Sequence, residues 1–234
     1  MKTIGLIGGM SWESSAQYYR IINERVRASL GGLHSARILM LSVDFATIET
    51  LQKAGRWDDA ASELVAAARA LELAGADCIV LCTNTMHKVA DAIADAVRIP
   101  FLHITDTTVA AIEAAGIRRV GLLGTRFTME EDFYVKRLAG QGQVEVLVPE
   151  ADDRATVNRI IFEELCLGRV LDDSRTEYLR IIAELIARGA DGIVLGCTEI
   201  MMLVGSSQVG MPMFDTTTLH ANAAVDFALG QPPV

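Results

Sequence analysis

Apolar runs of four to six residues recur along the whole chain. Between them lie longer stretches whose apolar positions return every three or four residues. The short runs read as strands buried on both faces, as a parallel sheet requires, and the longer stretches as amphipathic helices. Strands are expected at 2–7, 37–42, 101–104, 118–124, 144–148 and 212–215, with two more inside the stretches described below. The first helix carries Tyr19, Ile22, Val26 and Leu30 on one face, with Ser11 or Ser14 as its cap and Gly31-Gly32 as its stop. A second opens at Asp58, with Leu64, Ala68, Leu71 and Ala74 on one face, and a third carries Met86, Val89, Ile93 and Val97. A helix ending at Ala115-Gly116 follows the strand at 101–104. Thr128-Met129-Glu130-Glu131 reads as a capping box for a helix to about Ala139. Two further helices are expected near 153–167 and 174–188, and a last one ends at Leu229 and packs back on the first half.

The pattern occurs twice. Gly75-Ala76-Asp77-Cys78-Ile79-Val80-Leu81-Cys82-Thr83-Asn84-Thr85 is echoed, 114 positions later, by Gly189-Ala190-Asp191-Gly192-Ile193-Val194-Leu195-Gly196-Cys197-Thr198-Glu199. Ile4-Gly5-Leu6-Ile7-Gly8-Gly9 matches Val120-Gly121-Leu122-Leu123-Gly124-Thr125 at 116, and Ile99-Pro100-Phe101-Leu102 matches Met211-Pro212-Met213-Phe214 at 112. Three pairs in the same order mark duplication of a whole unit. The expected fold is α/β: two pseudo-symmetric doubly wound domains with parallel sheets and an active site in the cleft between them. The first domain would span 1–100 and be completed by a C-terminal helix over 215–234; the second would span 101–214. Thr83 and Cys197 stand at equivalent positions and would face each other across the cleft.

Composition removes several classes. Half of the 234 residues are hydrophobic and the net charge is −9, with no Lys/Arg run, so nucleic acid is not an expected partner. No apolar run reaches membrane-spanning length, and the first residues do not form a signal peptide. The cysteines at 78, 82, 166 and 197 show no metal spacing, which suits a cytoplasmic, disulfide-free chain with no metal.

Ligands of such sheets bind beyond the carboxyl ends of the strands. The polar elbows lie there: Gly8–Ser11, Thr83–Thr85, Thr125–Thr128 and Cys197–Glu199. Each is expected to precede a helix and offer free N–H groups to a small anion such as a carboxylate. Cys197, at a strand end beside Thr198 and Glu199, is expected to be a low-pKa thiol with a chemical role. Cys82 falls opposite Gly196 and reads as core, as does Cys78. His87 follows the first elbow and can orient it; His103 matches Asp215. Met10, Trp12 and Gln52 are placed near loops that could roof the cleft. There is no G-x-G-x-x-G, P-loop or G-x-S-x-G.

Gly-Gly-Met at 8–10, Asn84-Thr85, Gly124-Thr125 and Gly-Cys-Thr-Glu at 196–199 resemble the aspartate/glutamate racemase family of pyridoxal-phosphate-independent amino-acid racemases. The resemblance covers the whole chain. It implies no cofactor, an amino acid as the small-molecule substrate, a homodimer, and two cysteines facing the substrate Cα from opposite sides. Here the family's Cys-Asn-Thr reads Thr83-Asn84-Thr85, which resembles the bacterial Thr/Cys subgroup acting on L-aspartate and L-glutamate or more broadly on amino acids. The family's distal-carboxylate clamp also departs. No Arg stands in the loop expected around residues 46–48, where Gln52 is the nearest candidate, and Cys166 stands where the Lys is placed. Arg126 could substitute for the clamp but reads more readily as a surface residue.

The resemblance assigns Cys197 as the base that takes the α-proton and Thr83 as the opposite-face donor. Asn84, Thr85 and Thr198 would hold the α-carboxylate, and Met10, Gln52, Thr125 and Glu199 would complete the substrate site. The alternatives are a decarboxylase or isomerase of the same superfamily using Cys197, or a carboxylate-binding protein of little activity.

Overall fold

A computed structural model of the chain describes residues 1–140 and 143–231. The first unit runs β1 (Ile4–Gly8), α1 (Trp12–Leu30), β2 (Ile38–Ser42), α2 (Phe45–Lys53), α3 (Trp57–Leu73), β3 (Cys78–Leu81), α4 (Ala90–Asp95) and β4 (Phe101–Leu102). There follow α5 (Ile104–Ala114), β5 (Arg119–Gly124), α6 (Arg126–Glu130), α7 (Asp132–Leu138), β6 (Glu145–Leu147), α8 (Ala151–Glu163) and α9 (Asp172–Ala187). The chain ends with β7 (Gly192–Gly196), α10 (Ser206–Val209), β8 (Met213–Asp215) and α11 (Thr216–Leu229). The strands form two four-stranded parallel sheets, β2-β1-β3-β4 and β6-β5-β7-β8. By its contacts the chain divides into two compact units, Met1–Ile104 with His220–Val234, and Thr105–Leu219.

The duplication holds residue by residue. Ile4 pairs with Cys78 as Val120 pairs with Gly192, and Ile79 pairs with Phe101 as Ile193 pairs with Met213. The strand registers therefore reproduce the three sequence offsets. Cys82 is the counterpart of Gly196, and Thr83, one residue beyond it, is the counterpart of Cys197.

In the first unit, α1 and α11 cover one face of the sheet. Tyr18, Ile22 and Val26 meet Ala221, Ala224 and Val225 there, over Ile4, Leu6, Cys78, Val80 and Cys82. On the other face Leu64, Ala68 and Leu71 of α3 pack on Ile7, Ile79 and Leu81. Tyr18 rather than Tyr19 is the buried member of the α1 stripe, because it stands four residues before Ile22. Ala74 lies outside α3, as its C-cap.

Four expectations about helices change. The segment around 46–48 is no loop: Phe45–Lys53 is helical, with the Asp44 side chain accepting the Ala46 N–H as its cap. Thr125, not Thr128, caps α6, and the helix breaks at Glu131, whose extended backbone separates α6 from α7. The helix expected over 153–167 ends at Glu163, and a 3-10 turn over Leu165–Leu167 carries Cys166. The elbows after β3 and β7 lead into 3-10 turns, Thr85–Val89 and Ile200–Met202, so no aligned α-helical dipole stands behind either one.

Candidate active site

The sequence-selected residues fall into two groups, one in each unit. In the first unit the chain leaves β1 through Gly9, whose φ of +97° and backbone packing admit no side chain: a Cβ there would stand 2.2 Å from the Val43 carbonyl oxygen. The Gly9 N–H donates to Ser15 Oγ at 2.8 Å, and Ser11 caps α1 by accepting the Ser14 N–H. Met10 is 3% exposed and belongs to the apolar cluster on the α3 face, with Ile48 and Met86. Gln52 is 4% exposed in the last turn of α2, its Nε2 2.9 Å from Met86 Sδ. Met10 lies in the turn between β1 and α1, whereas Gln52 belongs to α2. Trp12, the first residue of α1, is exposed.

Beyond β3, Thr83, Asn84 and Thr85 are all buried. The Thr83 N–H donates to the Leu81 carbonyl at 2.9 Å, and the Thr83 carbonyl lies 2.7 Å from His87 Nδ1. The Thr83 hydroxyl makes no hydrogen bond among the described residues. Cys78 and Cys82 are enclosed in the sheet core. Burial pushes the Cys78 thiol up to about 12, against a hydrogen bond to the Gly5 backbone, and burial alone raises Cys82. Both are inert packing residues, as their positions in the strand imply.

In the second unit Gly196 ends β7 under tight packing. A Cβ there would meet Leu122 Cδ1 at 2.8 Å and the Leu123 carbonyl oxygen at 3.0 Å. Cys197 follows, 7% exposed. Its thiol donates to Glu199 Oε2 at 2.9 Å, and the Thr198 hydroxyl donates to the same oxygen at 2.8 Å. The expected low-pKa thiol is not what this arrangement produces. Burial raises the Cys197 pKa well above the ordinary thiol value, and the charges of Glu199 and Cys166 add to it, as does the hydrogen bond to the Glu199 side chain; only a backbone contact from Glu199 opposes them. Cys197 rests as a thiol hydrogen-bonded to the Glu199 side chain.

Thr125 uses its hydroxyl to accept the Thr128 N–H, and its Oγ1 is 3.1 Å from Thr128 Oγ1. Two tyrosines that the sequence does not single out lie within electrostatic reach of Cys197. Tyr134 on α7 and Tyr178 on α9 are fully buried, and burial raises both phenols; Thr105 hydrogen-bonds Tyr134. Nothing in their spacing separates them from ordinary core tyrosines. Glu164 accepts from Ser174 Oγ and from Arg159 Nη1, which ties α8 to α9 next to Cys166. Among the described residues no cluster of three or more His, Cys, Asp or Glu could hold a metal, and no helix is long and apolar enough to cross a membrane.

The family model for Asp/Glu/Hydantoin racemase matches residues 7–224. The broad specificity amino-acid racemase RacX of Bacillus subtilis is 30% identical over 169 residues, 72% of each chain. A Yersinia pestis structure provisionally named an Asp/Glu racemase is 55% identical with a TM-score of 0.91, over 98% of this chain and 100% of that one. An aspartate racemase homologue from Pyrococcus horikoshii OT3 is 34% identical with a TM-score of 0.85, over the same shares. The chain belongs to the Asp/Glu/Hydantoin racemase family and is an isomerase, an amino-acid racemase.

Proposed function

We propose that this racemase inverts an amino acid at Cα by two-face proton transfer, with Cys197 as the base on one face and Thr83 as the donor on the other. One observation carries the reading. The strand registers make Thr83 and Cys197 equivalent residues of a duplicated unit, and Cys197 alone of the two has a carboxylate, Glu199, 2.9 Å from its reactive atom. The Cys197 proton passes to Glu199, leaving thiolate and carboxylic acid. The thiolate then takes the α-proton, the carbanion takes a proton from the Thr83 hydroxyl, whose oxygen is reprotonated by water, and the protonated Glu199 returns its proton to the hydroxide so formed. A threonine hydroxyl ionises, like water, far above the thiol range, so it donates to a carbanion and abstracts poorly. Asn84, Thr85 and Thr198 hold the α-carboxylate in this scheme. The two directions differ in kcat and in KM while their kcat/KM ratio stays at one, because the enantiomers are equal in free energy.

The test is loss of the α-proton NMR signal in D₂O, with optical rotation followed in parallel and no cofactor added. The panel holds L- and D-aspartate, L- and D-glutamate and uncharged amino acids. Exchange with loss of rotation is expected for at least one pair. The fastest pair identifies the preferred substrate side chain. Binding without exchange would move the assignment to a carboxylate-binding protein.

The homodimer is part of the same proposal, and its surface is the outer face of α1 with the edge strand β2. Trp12, Tyr19 and Leu30 are exposed along one stripe of α1, beside Leu33 and Met40. The duplicated unit is an internal control, since no large apolar side chain of α6, α7 or β6 is exposed among the described residues. Arg20 and Glu24, bonded to each other within one chain at 2.8 Å, flank the stripe. Two copies of α1 packed antiparallel bring Arg20 of one copy to Glu24 of the other and Trp12 to Leu30, which a second copy satisfies by symmetry. Light scattering should give twice the 25.3 kDa chain mass. Tyr19→Glu should give monomers of unchanged circular dichroism; a persistent dimer would place the interface elsewhere.

A further inference from the structure

The elbow carrying Thr83 is fastened by a buried imidazole that its duplicate lacks. His87 is 4% exposed. Its Nε2 lies 3.2 Å from the Ile104 N–H and its Nδ1 lies 2.7 Å from the Thr83 carbonyl oxygen. A backbone N–H only donates, so Nε2 accepts; the ring proton is on Nδ1 and goes to Thr83. The ring is held in turn by its neighbours. Its centroid is 4.5 Å from that of His103, 5.6 Å from that of Phe101 and 5.9 Å from that of His220. His220 is fixed by the same logic. Its Nε2–H donates to the Leu102 carbonyl at 2.8 Å, so its Nδ1 accepts the Tyr18 hydroxyl at 2.9 Å.

Both backbone polar groups of Thr83 are therefore occupied, one by Leu81 and one by His87, while its hydroxyl stays uncommitted among the described residues. The residue at the same register after Cys197 is Met201, which has no ring nitrogen to offer. The asymmetry matches the chemistry. A thiol next to a carboxylate has a partner that can take its proton, whereas a threonine hydroxyl donates usefully only when its direction is fixed.

We infer that His87 is a positioning residue that aims the Thr83 hydroxyl, needed for proton delivery from the Thr83 face and dispensable for proton removal by Cys197. The inference rests on the two-face reading above. An Asn amide reaches the place of Nδ1 and a Gln amide that of Nε2. His87→Asn keeps a donor for the Thr83 carbonyl, and His87→Gln keeps an acceptor for the Ile104 N–H but loses that donor. The readout is the ratio of α-deuterium exchange with retained configuration to racemisation, on the enantiomer that gives its proton to Cys197.

His87→Gln should keep exchange within about threefold of the parent while racemisation falls on the order of 10²-fold, the cost of a misdirected reacting group. His87→Asn should keep racemisation within about tenfold. Equal losses of exchange and racemisation in a folded His87→Gln would show a merely structural residue, and no change in either would show none. Should the Gln variant fail to fold, a folded His87→Asn whose exchange-to-racemisation ratio rises as far as that of Thr83→Val would overturn the inference by itself. Thr83→Val separates the two levels. If it racemises like the parent, the Thr83 assignment falls, whereas loss of racemisation in Thr83→Val together with an unchanged His87→Gln ratio removes only the role of His87.

Discussion

Cys197→Ala should lower racemisation by at least about 10³-fold, since it removes the group that takes the α-proton. Full activity in Cys197→Ser would sink the assignment. The more discriminating variant is Glu199→Gln, because its two readouts should move in opposite directions. Glu199 holds the Cys197 proton in place, and its charge and hydrogen bond both raise the thiol pKa. A neutral amide removes that charge, so the thiol should ionise at lower pH and be alkylated several-fold faster by iodoacetamide at pH 8. The amide cannot receive the thiol proton, so racemisation should fall by about 10²-fold. If Glu199 were only an unfavourable charge beside the nucleophile, racemisation would rise together with alkylation. A Cys166→Ser background keeps the readout on Cys197, since Cys78 and Cys82 are fully enclosed.

The architecture was legible because each buried strand is a run of apolar residues closed by glycine or a polar elbow, and because the chain states it twice. The offsets 116, 114 and 112 are the registers of the two sheets. What the sequence hid lies where two neighbours compete for one role. Tyr18 and Tyr19 differ by 100° of helix, and only Tyr18 continues the Ile22–Val26 row. Thr125 and Thr128 both suit an N-cap, and Thr125 has it because β5 ends at Gly124. The segment Phe45–Lys53 buries only Ile48 and Gln52, too few apolar residues to show a helical period, although Asp44 was a readable cap. The thiol of Cys197 is the instructive miss. Proximity to Glu199 and a following turn suggested activation by a helix end. The turn is a single 3-10 turn, and enclosure of the sulfur outweighs it. Burial of one side chain by tertiary packing is not written in its local sequence.

Stability should fall steeply above pH 9, by about 4 kcal/mol per pH unit for global unfolding, as three buried thiols each contribute about 1.4 kcal/mol. Cys78, Cys82 and Cys197 all have pKa values raised by burial, Cys78 to about 12. Above pH 9 the unfolded chain releases these protons and the folded chain keeps them, so the folded state binds more protons and loses stability as pH rises. The contribution is fully present below pH 9 and is lost as pH climbs toward the folded values. Tyr134 and Tyr178, also raised by burial, add to the slope above pH 10. Against a total stability of roughly 5–15 kcal/mol, the chain should unfold within a few pH units of 9. Urea midpoints between pH 7.5 and 10.5, with reductant present, would measure the slope. Cys82→Ala should start from a lower stability, because it opens a cavity among Leu6, Tyr18 and Ala221, yet lose stability with about two thirds of the parent slope. Parallel slopes would mean that Cys82 ionises as easily folded as unfolded, which a thiol enclosed between the sheet, α1 and α11 cannot do without opening the first unit.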